Sequence, residues 1–583
     1  MFEGDTPLSI AIKKKTEPVP DPKKLNPQIS EDLDRLILKC LERDREERYQ
    51  NVENVISDLE NIEQGIPSTE RAVLKRKSLT SREITVKFSL RKIFVPALVF
   101  LVVVMATVMI WRLLPHRAAV SSQLGKHSIA VLPFEDLSPE KGHEYLCEGI
   151  PETLINALNN IADLRVPART SSFSFKGKEH TVGEIGQKLN VETVLEGSIQ
   201  VVGNNLQVTA RLINVKDGYL LWNGRYPRQL ADLFSIQDDI AQEIVKALKI
   251  KLLGEKEAEI VKRYTENIEA YNLYLKGRYF WNMRTGEGLN KAIENFGQAI
   301  QKDPKYAIAY SGLADSYSLL PWYGRWLPKE AYPKARAAAL QALELDSSLA
   351  EAHTSLAAVY HWYDWDWLAA EKEFKRAIEL NPRYPTVHQW YGRLLVDTGR
   401  SDEGINEGKR ALELDPLSLI INTNLGDYLY NARRYDEAKE QYLKALEIDP
   451  AFNSALIWLG KTYLKKGMFR EAIEEVRNTQ HPVLAYAYMA WGNKAEAFQF
   501  YEDLKKRATQ QRIDPTYLAM ACVGIGKIDL AFEDLEKAYQ ERHPRLIDFL
   551  QDPLNDSIRQ DPRFKALLKK MNLPEFWAKP SNK

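Results

Sequence analysis

His143 and Cys147 stand four residues apart with Glu144 and Glu148 beside them, a spacing that puts two metal-ligating side chains on one face of a helix. No third ligand is identifiable, so the expectation is that the chain holds no metal. In ARTSSFSFKGK, Arg169, Ser171, Ser172 and Lys176 supply hydroxyl and cationic donors suited to an anion-binding loop, although a satisfied strand-to-loop connection accounts for the same residues. Phosphoryl transfer needs a glycine-rich loop, a strand lysine, an HRD aspartate and a DFG aspartate. None is found: the one His-Arg pair, His116-Arg117, is not followed by Asp, and Asp-Phe-Gly does not occur. The chain is therefore expected to have no catalytic residues, to use no cofactor and not to be an enzyme by itself. Its cysteines, Cys40, Cys147 and Cys522, are too scattered for a disulfide scaffold or a structural zinc site.

The strongest pattern is a repeat. Small residues recur at Ala292, Ala335, Ala370, Gly404, Ala438 and Ala472, at intervals of 43, 35, 34, 34 and 34. Four and seven residues later come pairs such as Phe296 and Ala299, Phe374 and Ala377, and Tyr442 and Ala445, which share one helical face. Asp303-Pro304, Asn381-Pro382, Asp415-Pro416 and Asp449-Pro450 end these helices, because proline cannot continue them. Less regular units centred on Ala497 and Ala531 bring the number to about eight. In both period and residue types, 267–545 resembles the tetratricopeptide family, which implies a right-handed superhelix of helix pairs with first helices lining a concave groove. In that register Arg393, Asp427 and Lys461 form one polar ladder and Asp397, Asn431 and Lys465 a second. A protein or peptide is the natural partner of such a groove, while a merely solvated helix face explains the ladders equally. The inserted aromatics Trp322, Tyr323 and Trp326, and the stretch HWYDWDW at 361–367, suit either a specialised contact or the capping of a solenoid edge. Residues 546–583 are expected to cap the last repeat, with Phe564, Leu567, Leu568 and Met571 facing it.

Upstream, SIAVLPF reads as a buried strand, 142–160 as a helix, and three strands follow with turns at Asn204-Asn205 and Asp217-Gly218 before a helix over 232–252. SIAVLPFEDLSPEKGHEYLCEGIPETLINAL, RVPARTSSFSFKGK, VLEGSIQ and LWNGRYPRQLADLFSIQDDIAQEIV together resemble the TolB-like amino-terminal domain, over 128–253. That resemblance implies an α/β sensing or assembly module.

The run IFVPALVFLVVVMATVMIW at 93–111 is uncharged for 19 residues, close to the span of a hydrocarbon core of about 30 Å, and reads as one transmembrane helix. The basic linker 65–92, with Lys75, Arg76, Lys77, Arg82, Lys87, Arg91 and Lys92, outweighs Arg112, Arg117 and Lys126 beyond the helix, which puts the amino-terminal side in the cytoplasm. Residues 1–64 carry two amphipathic helices, SEDLDRLILKCLERD with Ser30 as its N-cap and VENVISDLENI. With LERDREERYQ, in which Arg48 matches the family's late arginine, this stretch resembles the end of a bacterial Ser/Thr protein kinase C-lobe. Met1 falls where that family has the proline of a Pro-Phe pair, so the expectation is a kinase fragment.

The expected fold is thus multidomain: a helical kinase C-lobe remnant and one transmembrane helix on the N-terminal side, then an α/β TolB-like module, then an all-α tetratricopeptide superhelix. With 80 basic against 80 acidic residues there is no net charge to seek nucleic acid, and no reader motif appears. The expected function is that of a single-pass scaffold or sensor of a bacterial inner membrane. Its C-terminal domains would lie in the periplasm and bind a protein or peptide. The alternative is the sensor half of a transmembrane kinase whose catalytic core lies outside this chain. Oligomeric state is not readable from the sequence.

Overall fold

The structure, a computed structural model, describes residues 22–26, 29–42, 48–49, 51–63, 127–161, 163–250, 262–323 and 326–574. The apolar run 93–111 and the basic linker 65–92 lie outside the described residues, as does part of 1–64. Among the described residues no helix is long and apolar enough to cross a membrane. The chain divides into two compact units, 1–117 and 118–583.

In the first unit, helix α1 (Glu31–Cys40) starts where Ser30 Oγ accepts from the Leu33 amide, as an N-cap serine does. Helix α2 (Val52–Glu63) follows, with Tyr49 donating to Asp58 at 2.7 Å. Val52, Ile56 and Leu59 are exposed among the described residues.

The second unit opens with a mixed sheet: β1 (His127–Val131), β2 (Glu135–Asp136), β3 (Leu164–Arg165), β4 (Thr193–Val202), β5 (Asn205–Asn214) and β6 (Leu220–Gln229). The order is β3-β1-β4-β5-β6, with β2 also alongside β4. β1 pairs in parallel with β3 and β4, whereas β4, β5 and β6 form an antiparallel meander. The first hairpin turns at Gly203-Asn204, one residue earlier than the sequence suggests, because Val202 pairs with Asn205 and Gly203 supplies a φ of +59°. Leu206, Val208, Ala210 and Leu212 then alternate into the core. Helices α3 (Glu144–Asn159), α4 (Arg169–Phe173), α5 (Val182–Leu189) and α6 (Leu233–Ala247) complete the module. α4 is a helical turn where the sequence suggested a loop, and α6 starts one residue later than expected.

From Ile268 the helices form eight antiparallel pairs: α7 (Ile268–Asn282) with α8 (Gly286–Lys302), α9 (Ala307–Tyr323) with α10 (Pro328–Leu345), α11 (Ala350–Val359) with α12 (Trp367–Leu380), α13 (Pro385–Asp397) with α14 (Ser401–Leu414), α15 (Leu419–Asn431) with α16 (Tyr435–Ile448), α17 (Asn453–Lys465) with α18 (Phe469–Val476), α19 (Val483–Ala490) with α20 (Lys494–Gln510), and α21 (Pro515–Gly524) with α22 (Ile528–Gln540). The small residues that set the period, Ala292 through Ala472, are buried on second helices. Beyond the pairs come α23 (Arg545–Gln551), a 3-10 turn (Pro553–Ile558) and α24 (Pro562–Lys570). Phe564, Leu567, Leu568 and Met571 are buried against the last pair, as a capping helix requires.

The two modules share one core. Tyr271 and Leu275 of α7 lie in the same apolar cluster as Ile150, Leu154 and Ile236 of the α/β module. Gly149 of α3 is a point of close approach: a Cβ there would stand 2.9 Å from the Leu275 methyls. The Trp-rich stretch also turns inward. Tyr360–Asp364 make a π-helical turn, and Trp362 packs edge-on between Trp322 and Trp390 at 5.4 and 4.9 Å.

Candidate functional site

The 34-residue period places Arg393, Asp427 and Lys461 on three neighbouring first helices, α13, α15 and α17, with Asp397, Asn431 and Lys465 one turn further on. Arg393 Nε donates to Asp397 Oδ1 at 2.7 Å and its Nη1 to Asp427; Asn431 Nδ2 donates to Asp427 Oδ1 at 2.6 Å. His361 Nε2 meets Asp397 Oδ2 at 2.7 Å. The residues sit side by side as the spacing implies, but not as a solvated ladder. All but Lys465, which is half-buried, are buried.

What covers them is the chain's own C-terminal segment. Asp548 on α23 accepts from Arg393 Nη2 at 2.6 Å. Four residues on, Asp552 accepts from Lys461 Nζ at 2.8 Å and, through its other oxygen, from the Tyr430 hydroxyl and the Leu554 amide at 2.9 Å each. Four residues further, Asp556 takes both terminal nitrogens of Arg433, at 2.9 and 3.0 Å, and lies 3.7 Å from Lys465 Nζ. Lys465 also donates to the Pro553 carbonyl at 3.1 Å. The sequence reading missed these three aspartates. Their signal was the spacing of four in IDFLQDPLNDS, although the helix ends at Gln551 and Asp556 lies in the 3-10 turn that follows.

Burial dominates the electrostatics. It pushes Asp427 up to about 7 against the pull of Arg393, because Asp548 and Asp397 compete for the same guanidinium. Burial raises Asp548 as well. Asp397 is also desolvated, but Arg393 and the His361 bond outweigh that and hold its carboxyl below the usual range. Arg393, despite its own burial, is driven well above its usual value by the three carboxylates.

A second polar cluster joins the α/β module to the repeats. Glu152 accepts from Arg278 Nε and Nη2 at 3.0 and 2.9 Å and lies 3.0 Å from Arg169 Nε. Lys176 pairs with Glu148 at 2.7 Å, and Arg169 reaches the same carboxylate. The Ser171 amide and hydroxyl both donate to Asp415, and Ser171 Oγ accepts from the Leu417 amide at 2.8 Å. Arg169, Ser171 and Lys176, three of the four anion-loop candidates, thus serve internal carboxylates. Burial pushes the Cys147 thiol up to about 12, which keeps it protonated beside His143. Among the described residues, no three His, Cys, Asp or Glu are grouped to hold a metal.

A family profile described as "Tetratricopeptide repeat" matches 355–418 and one described as "TPR repeat" matches 426–467. The chain therefore carries tetratricopeptide repeats, joined to a mixed-sheet domain on their N-terminal side. Over 239 residues it is 32% identical to "Putative adenylate cyclase 3" of Rhizobium meliloti, covering 41% of this chain and 40% of that protein. Over 61 residues it is 41% identical to a "Probable serine/threonine-protein kinase" of Clostridium perfringens, covering 10% of this chain and 9% of the kinase. The chain spans less than half the length of the curated relatives it matches. Among solved structures, that of YrrB, "a TPR protein with an unusual peptide-binding site", matches at 27% identity with a TM-score of 0.24, over 31% of this chain and 91% of that one.

Proposed function

We propose that this chain is a membrane-tethered scaffold or sensor that binds a protein or peptide through its repeats, with the α/β module, TolB-like in sequence, fixed to the first of them. The observation that carries the reading is the row of charged residues on successive first helices, Arg393, Asp427 and Lys461 with Asp397, Asn431 and Lys465. They are engaged by a separate segment of polypeptide, a short helix and a 3-10 turn, as a protein-binding groove would engage a partner. The uncharged run at 93–111 supports a single span, and its flanking charges support a cytoplasmic N-terminus with periplasmic repeats in a bacterial inner membrane.

The test is photo-cross-linking in the host, with a benzoylphenylalanine at Trp491, 50% exposed at the end of α19, or at Leu368, 83% exposed on the second helix α12. A single protein adduct from Trp491, absent from Leu368, supports the reading; no adduct from either site overturns it. Thiol labelling of intact cells tests the topology. Cys40 is exposed whereas Cys147 and Cys522 are buried, so the native chain reports its N-terminal side and a Lys329→Cys variant reports the repeats. Labelling of Lys329→Cys by an impermeant reagent, with Cys40 protected, is the expected result.

The short kinase similarity favours one second reading, that the chain is the sensor half of a transmembrane Ser/Thr kinase. The mass of the native product, detected through its repeats, separates the two. A product clearly above 66.9 kDa supports the kinase reading, and a matching mass supports the scaffold.

A further inference from the structure

We propose that the groove of the fourth to sixth repeats is a receptor for an acidic peptide with carboxylates spaced by four residues, held as a short helix followed by a 3-10 turn, and that residues 545–559 are its ligand in cis. This rests on the reading of the repeats as a binding scaffold and adds the chemistry of the ligand and a lock.

The segment has two faces with different partners. Leu546, Phe549 and Leu550 join the apolar core of the last two repeats and the capping helix, so that side belongs to the C-terminal end of the solenoid. Asp548, Asp552 and Asp556 point the other way and meet repeats four to six through charge-assisted bonds. Asp548 and Asp552 reach partners 155 and 91 positions away, and the apolar face packs within the last two repeats and the capping helix and against Trp365. A cap needs only the apolar face; the regular acidic face serves recognition.

Charge balance points the same way. With the segment in place Arg393, Arg433, Lys461, Lys465 and Arg559 stand against Asp397, Asp427, Asp548, Asp552 and Asp556, five cations to five carboxylates. Without it four cations remain, Arg393, Arg433, Lys461 and Lys465, facing only Asp397 and Asp427. Arg393 and Lys461 are buried with the segment in place, whereas Arg433 is exposed and Lys465 half-buried, so a replacement that restores the carboxylates at the same spacing regains charge-assisted bonds that water alone does not match. The groove also supplies neutral donors. Tyr430 serves Asp552, and the Tyr486 hydroxyl meets Asn555, whose amide closes back on the Phe549 carbonyl at 2.7 Å.

The test uses the full chain in mild detergent and a fluorescein-labelled peptide of sequence RHPRLIDFLQDPLNDSIRQ, read by anisotropy. The native chain, its groove occupied, should show no saturable binding below about 100 μM. A chain with Asp548→Asn, Asp552→Asn and Asp556→Asn should bind the peptide at least about tenfold more tightly. That gain should vanish for a peptide carrying the same three Asn, and on adding Arg433→Glu and Lys465→Glu to the chain. A folded triple variant that ignores the peptide overturns the proposal, as does equal binding of the acidic and amidated peptides. If the triple variant does not fold, hydrogen exchange of the native chain decides. Amides of 546–551 exchanging well before those of α21 and α22 supports a displaceable ligand. Exchange only together with them makes the segment a permanent cap. Peptide binding is read on purified protein, so its failure is distinct from absence of a host partner in the cross-linking test.

Discussion

Asp427 shares one arginine with two other carboxylates, and Arg393 cannot neutralise all three at once. Burial pushes the Asp427 carboxyl up to about 7, and it pushes Asp315 and Asp415, elsewhere in the repeats, up to about 6. In the unfolded chain all three titrate near 3.8. A carboxyl with a raised folded value binds its proton more tightly folded than unfolded. Its contribution is therefore full below the unfolded value and is lost as pH rises through the folded one. Glu152 and Asp397, held below their usual range, act in the opposite sense, but only as pH falls below the unfolded carboxylate range. Two buried histidines, His481 and His543, also have lowered folded values and add stability as pH rises toward 6.5, so the raised carboxyls set the slope by themselves only above that. The urea midpoint of the second unit is therefore expected to fall as pH rises from about 6.5 to about 7.5, each proton being worth about 1.4 kcal/mol per pH unit. Asp427→Asn should flatten that fall. An unchanged slope in the variant would mean that Asp427 is ionised throughout.

The repeat depends on small residues facing large ones, and Gly426 of α15 is one of the tight cases in the groove-lining helices. A Cβ there would lie 2.4 Å from Tyr442 Cε1, on a ring that is fully buried and cannot swing aside. Gly426→Ala should therefore destabilise by about 1–3 kcal/mol. Gly297 in α8 has nothing within 4 Å of the same added atom, so Gly297→Ala should stabilise by about 0.5–1 kcal/mol through helix propensity alone. Opposite signs for one substitution, read by urea unfolding, check the packing rule; equal signs would refute it. This rule made the repeats legible, because Ala370, Phe374 and Ala377 encode a contact between neighbours that recurs every 34 residues. The strands were legible for a similar reason, since alternation at Leu206, Val208, Ala210 and Leu212 is local. The occupant of the groove was not. Asp548 meets Arg393 155 positions away and Asp552 meets Lys461 91 positions away, and no short-range period encodes such pairs. The internal roles of Arg169 and Ser171 stayed hidden likewise, since Asp415 is 244 residues from Ser171.

At the scale of the molecule, the α/β module and the repeats are joined by too much to melt apart. Tyr271 of α7 bonds both Thr153 and Gln237, at 2.8 and 2.7 Å, inside a core common to the two modules. At the far end of α3, Arg383 Nη1 reaches from the loop before α13 to the carbonyls of Asn159, Ile161 and Leu164, at 3.1, 3.0 and 2.7 Å. The Asn159 carbonyl belongs to the last turn of α3, where the helix leaves it without a partner of its own, while the Ile161 carbonyl also accepts from the Leu164 amide at 3.1 Å. One guanidinium thus closes the helix and ties the sheet module to the fourth repeat. Residues 127–574 are accordingly expected to unfold in a single transition. Arg383→Ala should lower the midpoint by an amount equivalent to about 1–3 kcal/mol, the cost of leaving such acceptors unpaired. Gly149→Val acts differently: the added side chain drives α3 off Leu275 while leaving each module's own helices and strands intact. Calorimetry of that variant should resolve two transitions, one for the sheet module and one for the repeats. If it instead melts in one step at a lower temperature, the repeats cannot hold their fold without the module, and the two are a single cooperative body rather than two domains sharing a seam.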